Sequence, residues 1–192
     1  MNPNRKRIVE ITTTGLFIAI IVVMTFVPNL GYITIGTLSI TTIHVPVIIG
    51  SALLGPIGGL ILGFTWGLTS FIKVFVAAVS PIELALFSNP LISILPRILV
   101  GLLVALAAGG VRKWLKKEYP GDIAIAVLGT VMNTTFVLGA IGLFAGGTLF
   151  PQDKTLTTIL MTIVGTNGLV EIGVAVLLVP VILSRLRKVI RN

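Results

Sequence analysis

The 192-residue chain has no cysteine, one histidine and only six acidic residues. Without cysteine there are no disulfides and no thiolate ligands, and the redox compartment is left open. One imidazole with few carboxylates is not a metal-ligand set, so His44 reads as a structural hydrogen-bonding residue before a ligand of any ion. Charge of either sign is scarce: 10% of residues are charged against 55% hydrophobic, and the mean hydropathy is +1.11. A soluble domain of this length needs far more surface charge, which excludes that class. There is no G-x-x-x-x-G-K-[ST] phosphate loop, so the chain does not hydrolyse ATP by that route.

The charge that is present is patterned. Of 14 Lys and Arg, all but Lys73, Arg97 and Lys154 fall in three clusters, at residues 5–7, 112–117 and 185–191, separated by long apolar stretches. Cytoplasmic ends of membrane spans collect cations in this way. The net charge of +8 does not point to nucleic acid, because the cations flank apolar spans and are not interleaved with aromatics on a polar face. They read as topology signals and contacts with the lipid bilayer. No cleavage site follows the first apolar run, which is expected to be a retained first helix.

A spanning helix needs about 20 apolar residues. On that measure the expectation is a single membrane domain over residues 1–192, with helices at about 8–28, 37–54, 57–79, 89–111, 123–144 and 155–187. The fold class is an all-α integral membrane protein, a six-transmembrane-helix bundle with both termini cytoplasmic. Gly55-Pro56 would make a tight inner turn, and residues 112–122 a basic inner loop. Residues 29–36, 80–88 and 145–154 then face outward as candidate lids. The first has β-branched residues bracketed by glycines, which suits an extended segment or hairpin arm. The second, with Pro81, Glu83, Leu84, Leu86 and Phe87, is a small amphipathic stretch.

Gly55, Gly59, Gly63 and Gly67 recur every four residues and bare one side of a helix, which favours close helix packing over a groove for a ligand. Gly15 and Ala19 form a shorter strip on helix 1, suited to docking another protein's helix.

Polar groups within spans point into a bundle and mark pathways or ligand sites. The candidates are His44, Asn89, Ser93, Arg97, Asn133, Asn167 and Glu171. Asn89, Ser93 and Arg97 step by four, as do Asn167 and Glu171, so each set lies along one helix face. At about 1.5 Å per residue, Arg97 lies roughly 12 Å and Asn167 roughly 18 Å from the outer ends, with His44 near the level of Arg97. The competing structural reading pairs Arg97 with Glu171 as a buried ion pair. Pro90 and Pro96 free helix carbonyls that a ligand could use. Ser51 shares a helix face with His44, but two turns hold them about 10 Å apart, too far for a nucleophile and its base. No enzyme is indicated.

Two stretches carry a resemblance. They are Ile43-His44-Val45-Pro46-Val47-Ile48-Ile49-Gly50, continuing through Leu54-Gly55-Pro56-Ile57-Gly58-Gly59 to Gly63-Phe64-Thr65-Trp66-Gly67-Leu68-Thr69-Ser70, and Asn89-Pro90-Leu91-Ile92-Ser93-Ile94-Leu95-Pro96-Arg97-Ile98-Leu99-Val100-Gly101. In order and spacing they resemble the substrate-binding S components of energy-coupling factor (ECF) vitamin transporters. The resemblance implies a bacterial plasma-membrane bundle that captures a small water-soluble vitamin outside and topples to release it inside. It implies a membrane coupling subunit and two ATPase subunits as partners, and no cofactor. It also implies that helix 1 docks the coupling subunit, where the family has Ala-xxx-Ala and this chain has Gly15 and Ala19.

Pantothenate is the leading ligand, because a guanidinium binds a carboxylate bidentately. A pyridoxine-like compound or hydroxymethylpyrimidine would favour Glu171 instead. Riboflavin or folate would want aromatic stacking, and only two Trp and two Tyr occur. The rival functions are a stand-alone facilitator or channel and a purely structural membrane protein.

Overall fold

The computed structural model describes residues 3–35, 38–78, 80–145 and 154–191. In chain order the elements are α1 (Pro3–Phe26), β1 (Tyr32–Ile35), β2 (Leu38–Thr41), α2 (His44–Ala77), α3 (Pro81–Phe87), α4 (Pro90–Ser93), α5 (Leu95–Leu115), α6 (Glu118–Phe144) and α7 (Lys154–Arg191). Among the described residues, five helices are long and apolar enough to cross a membrane: α1, α2, α4 together with α5, α6, and the C-terminal part of α7.

The expected second and third helices both lie in α2. Gly55 breaks it with φ 75° and ψ −168°, a backbone only glycine adopts readily, and Pro56 removes the next N–H. Gly50 nevertheless lies against Leu62, twelve residues on, whereas a straight helix would separate them by about 18 Å. The chain therefore reverses at Gly55, as the Gly-Pro pair foretold. The first arm, residues 44–54, is about 16 Å long, shorter than the roughly 30 Å apolar core of a bilayer. It is short because residues 38–41 form β2 where helix was expected. Their β-branched content favours strand, and β1 pairs with β2 antiparallel, Tyr32 opposite Thr41 and Ile35 opposite Leu38.

The glycine strip packs helix on helix. Gly59 meets the carbonyl of Gly101, Gly63 the carbonyl of Arg97, and Gly67 the Cα of Ile94, so the second arm of α2 lies antiparallel on α5 with the backbones touching. Trp66, Ile48, Leu62, Val100, Ile125 and Val179 are buried together at the centre. Leu106, Leu143, Leu169 and Leu177 stand exposed on the flanks, as a lipid-facing surface requires.

The expected basic inner loop is nearly absent. Helix α5 continues through Arg112 and Lys113 to Leu115, Lys116 turns left-handed at φ 54°, and α6 starts at Glu118. Lys and Arg are good helix formers, so a cationic run extends a helix as readily as it ends one. This end is tied by a buried charge cluster. Asp122, fully buried, takes Arg112 Nε at 3.2 Å and Arg187 Nη2, while Arg187 Nη1 reaches Glu118 at 3.3 Å. Arg112 Nη1 also donates to the carbonyl of Ala52, beside the Gly55 turn. Phe17 packs on Gly50 and Thr25 bonds Thr69, so the N-terminal end of α1 lies at this end too. All three basic clusters thus gather at one end of the bundle.

Candidate functional site

At the opposite end, the β-hairpin and α3 lie over the helices and are fastened to them by polar contacts. Ser80 caps α3 by accepting from the Glu83 N–H at 3.1 Å, with Pro81 in the first turn. Glu83 then reaches Lys73 of α2 at 2.7 Å in an ion pair buried on both sides. The Lys73 ammonium also sits 4.6 Å from the centre of the Tyr32 ring, and the Tyr32 hydroxyl is 2.7 Å from Ser70 Oγ. Burial pushes the Tyr32 phenol above its ordinary value, against the opposing pull of the Arg97 charge, so it stays neutral. On the other strand, the Thr41 N–H donates to Glu171 Oε1 of α7 at 2.9 Å. Two of the three connections read as lids therefore do cover the bundle; residues 146–153 of the third lie outside the described residues.

Beneath these covers sits Arg97, 6% exposed. Pro96 precedes it in the first turn of α5 without an N–H to offer the carbonyl of Ile92, and Arg97 Nη1 takes that carbonyl at 2.7 Å. The freed carbonyl, expected to await a ligand, is therefore occupied by the arginine. The guanidinium carbon lies 5.4 Å from the Trp66 ring centre and 5.0 Å from that of Phe87. Arg97 makes no ion pair with Glu171, whose Oε1 is taken by the hairpin. Arg97 Nε is buried without a partner.

The other expected residues divide in two. Asn89 and Ser93 serve the backbone: Asn89 Oδ1 caps α4 by accepting from the Leu91 N–H at 2.9 Å, and the Ser93 hydroxyl donates to the Asn89 carbonyl at 3.1 Å. The break at Ile94 between α4 and α5 takes them out of one continuous helix with Arg97. His44, fully buried, lies near the backbone of Thr41 and Glu171 but makes no hydrogen bond of ordinary geometry through its ring nitrogens, and the Oδ1 of buried Asn133 is unpartnered. Gly168 of α7 lies against Thr134 of α6, so Asn133 and Asn167 stand at one level of neighbouring helices. Buried polar atoms are nearly always paired, and each orphan costs about 1–3 kcal/mol. Arg97, His44 and Asn133 each bury a polar atom without a hydrogen bond of ordinary geometry, as do Ser51 and Trp66. Trp66, Phe87, Tyr32 and the Lys73–Glu83 pair escaped the sequence reading. The one available signal was Trp66 within a glycine-rich run, and aromatics had been weighed only as stackers for flat ligands.

Gly15 and Ala19 are exposed on α1, and a Cβ built on Gly15 would meet nothing within 4 Å.

Apolar flanks, cations gathered at one end and a two-part cover over the other define a multi-pass membrane protein. Residues 9–183 match the model of the family described as ECF transporter, substrate-specific component, and the chain belongs to that family. It is a bacterial cell-membrane transport protein and not an enzyme. It is 34% identical over 199 residues to the pantothenic acid transporter PanT of Lactococcus lactis subsp. cremoris, an alignment covering 95% of this chain and 96% of that one. The pantothenate transporter PanT of Leuconostoc mesenteroides subsp. mesenteroides is 33% identical over 195 residues, covering 95% and 93%.

Proposed function

We propose that the chain is the membrane-embedded substrate-binding subunit of an ATP-driven ECF-type vitamin importer, and that its vitamin is pantothenate. The observation that carries this is Arg97: a buried guanidinium with no carboxylate in ion-pair contact among the described residues, Glu171 acting on it only from a distance, with one N–H tied to a carbonyl and another unpartnered. A ligand carboxylate completes that set bidentately. His44, Asn133 and Asn167 then meet the hydroxyl and amide groups, and Glu171 holds the hairpin over them. Asn89 and Ser93 support the site through the α4 backbone. Both PanT relatives carry pantothenate in their names, which supports the same choice.

In this reading each arm of α2 counts as one of six crossings and both termini are cytoplasmic, which the gathered basic clusters support. The exposed Gly15 and Ala19 receive a coupling subunit, which works with two ATPase subunits. Titration of the purified protein against a panel of water-soluble vitamins, without ATP or metal, is expected to show one pantothenate bound per chain. Binding of none of them would overturn the reading, as would net uptake by the lone chain in liposomes. Co-purification with ATPase subunits is the result expected for the partnership.

A further inference from the structure

We infer that Phe87 is a positioning residue that sets the site's selectivity for a carboxylate, acting through Arg97; the inference rests on the carboxylate reading just given. Phe87 ends α3, the short helix that the Lys73–Glu83 pair holds on the bundle. Its ring faces the Arg97 guanidinium with 5.0 Å between ring centre and Cζ, and Trp66 faces it at 5.4 Å. A buried cation with no carboxylate in direct contact is stabilised by the negative faces of such rings, more strongly when water is excluded. The two rings and the Ile92 carbonyl fix where the guanidinium lies and which way its plane turns. Ring faces cannot accept the in-plane N–H fork, so the remaining donors stay available for a planar acceptor with two oxygens, which a carboxylate is and a hydroxyl is not.

The two rings differ in origin. Trp66 is fully buried within α2 and belongs to the fixed core, whereas Phe87 is half-buried and arrives with the cover. Seating α3 therefore completes the orientation of Arg97, and the selectivity of the site is assembled as the cover closes.

The test compares pantothenate with pantothenyl alcohol, which has a CH2OH group in place of the carboxylate. Affinities for both are measured on the wild type, Phe87→Leu and Phe87→Tyr, with melting curves of each ligand-free protein. In Phe87→Leu the preference for pantothenate is expected to shrink about tenfold, between the scale of an exposed and that of a fully desolvated cation–π contact because Phe87 is half-buried, while the affinity for the alcohol changes less than about twofold and Phe87→Tyr restores the preference. Replacing Phe87 by pentafluorophenylalanine keeps the shape and weakens the negative ring face, so it should reproduce the leucine result even if leucine disturbs the fold. An unchanged preference in a discriminating protein, or an equal loss of both ligands, would overturn the inference alone. A wild type that bound both ligands equally would overturn the carboxylate reading as well.

Discussion

Replacing Arg97 by glutamine separates a ligand clamp from a structural cation. In the ligand-free protein Arg97 has no carboxylate in direct contact among the described residues, so the substitution breaks no direct ion pair, and buried Glu171 loses only the field of a more distant cation. What is lost is the hydrogen bond to Ile92 O and two ring contacts, against which stands the relief of no longer burying an unpaired charge. The apo bundle should therefore remain folded, with a small change in melting temperature. With ligand present, truncating one side of a buried charge pair costs about 2–5 kcal/mol. At about 1.36 kcal/mol per decade the lower figure is a loss of about 30-fold in affinity. Calorimetric titration of pantothenate measures it. Glu171→Gln keeps an oxygen to accept the Thr41 N–H, and with no direct ion pair to break, the coupling between the two substitutions should stay at the low end for interacting residues, about 0.5 kcal/mol. Rescue of Arg97→Gln by Glu171→Gln would expose an ion pair that the geometry denies. Normal affinity in Arg97→Gln would refute the clamp, and with it the main argument for pantothenate.

Gly15→Trp or Ala19→Trp should abolish uptake by the assembled transporter while leaving vitamin titrations of the isolated chain unchanged; loss of binding would put that strip in the ligand site. Gly63→Ala places a methyl on the Arg97 carbonyl, so overpacking of about 1–3 kcal/mol is expected in chemical denaturation, together with weaker vitamin binding. Gly109→Ala, whose Cβ meets open space, is the neutral control. Asp122→Asn leaves two guanidiniums without their shared carboxylate and should cost about 3 kcal/mol, the low end for a broken buried pair because Arg112 stays partly solvated. A thermal melt indistinguishable from wild type would show that the cluster contributes nothing to stability.

How much of this was legible in the sequence depends on the distance over which each feature acts. The glycine strip, the Gly55 reversal and the amphipathic segment at residues 81–87 are local periodicities or single backbone requirements, and they stand where they were read. Strand β2 was mistaken for the start of a helix because, among apolar residues of a membrane protein, hydropathy alone does not separate a β-branched strand from a span. The tertiary contacts of the site were not readable. Glu171 meets Thr41 across 130 positions, and nothing in either neighbourhood announces the other. Arg97 was found because a cation in an apolar run is conspicuous, but its neighbours Trp66 and Phe87 look like ordinary apolar residues in sequence.

The prolines explain why the bundle has arginines at both ends of α5. Pro96 and Pro56 each lack the N–H that a helix would direct to the carbonyl four residues earlier, at Ile92 and Ala52. In a bilayer no water replaces that donor, so something in the protein must. Arg97 takes Ile92 O and Arg112 takes Ala52 O, and both arginines belong to α5. At the Gly55 end the arginine is also neutralised by Asp122, and the result is a charge-paired staple binding α2, α5, α6 and α7. At the covered end the same device has no carboxylate in direct contact among the described residues. An arginine held by a freed carbonyl and two rings, with Glu171 acting only from a distance, is the same arrangement with one place left open, and that open place is why we propose a solute carboxylate there.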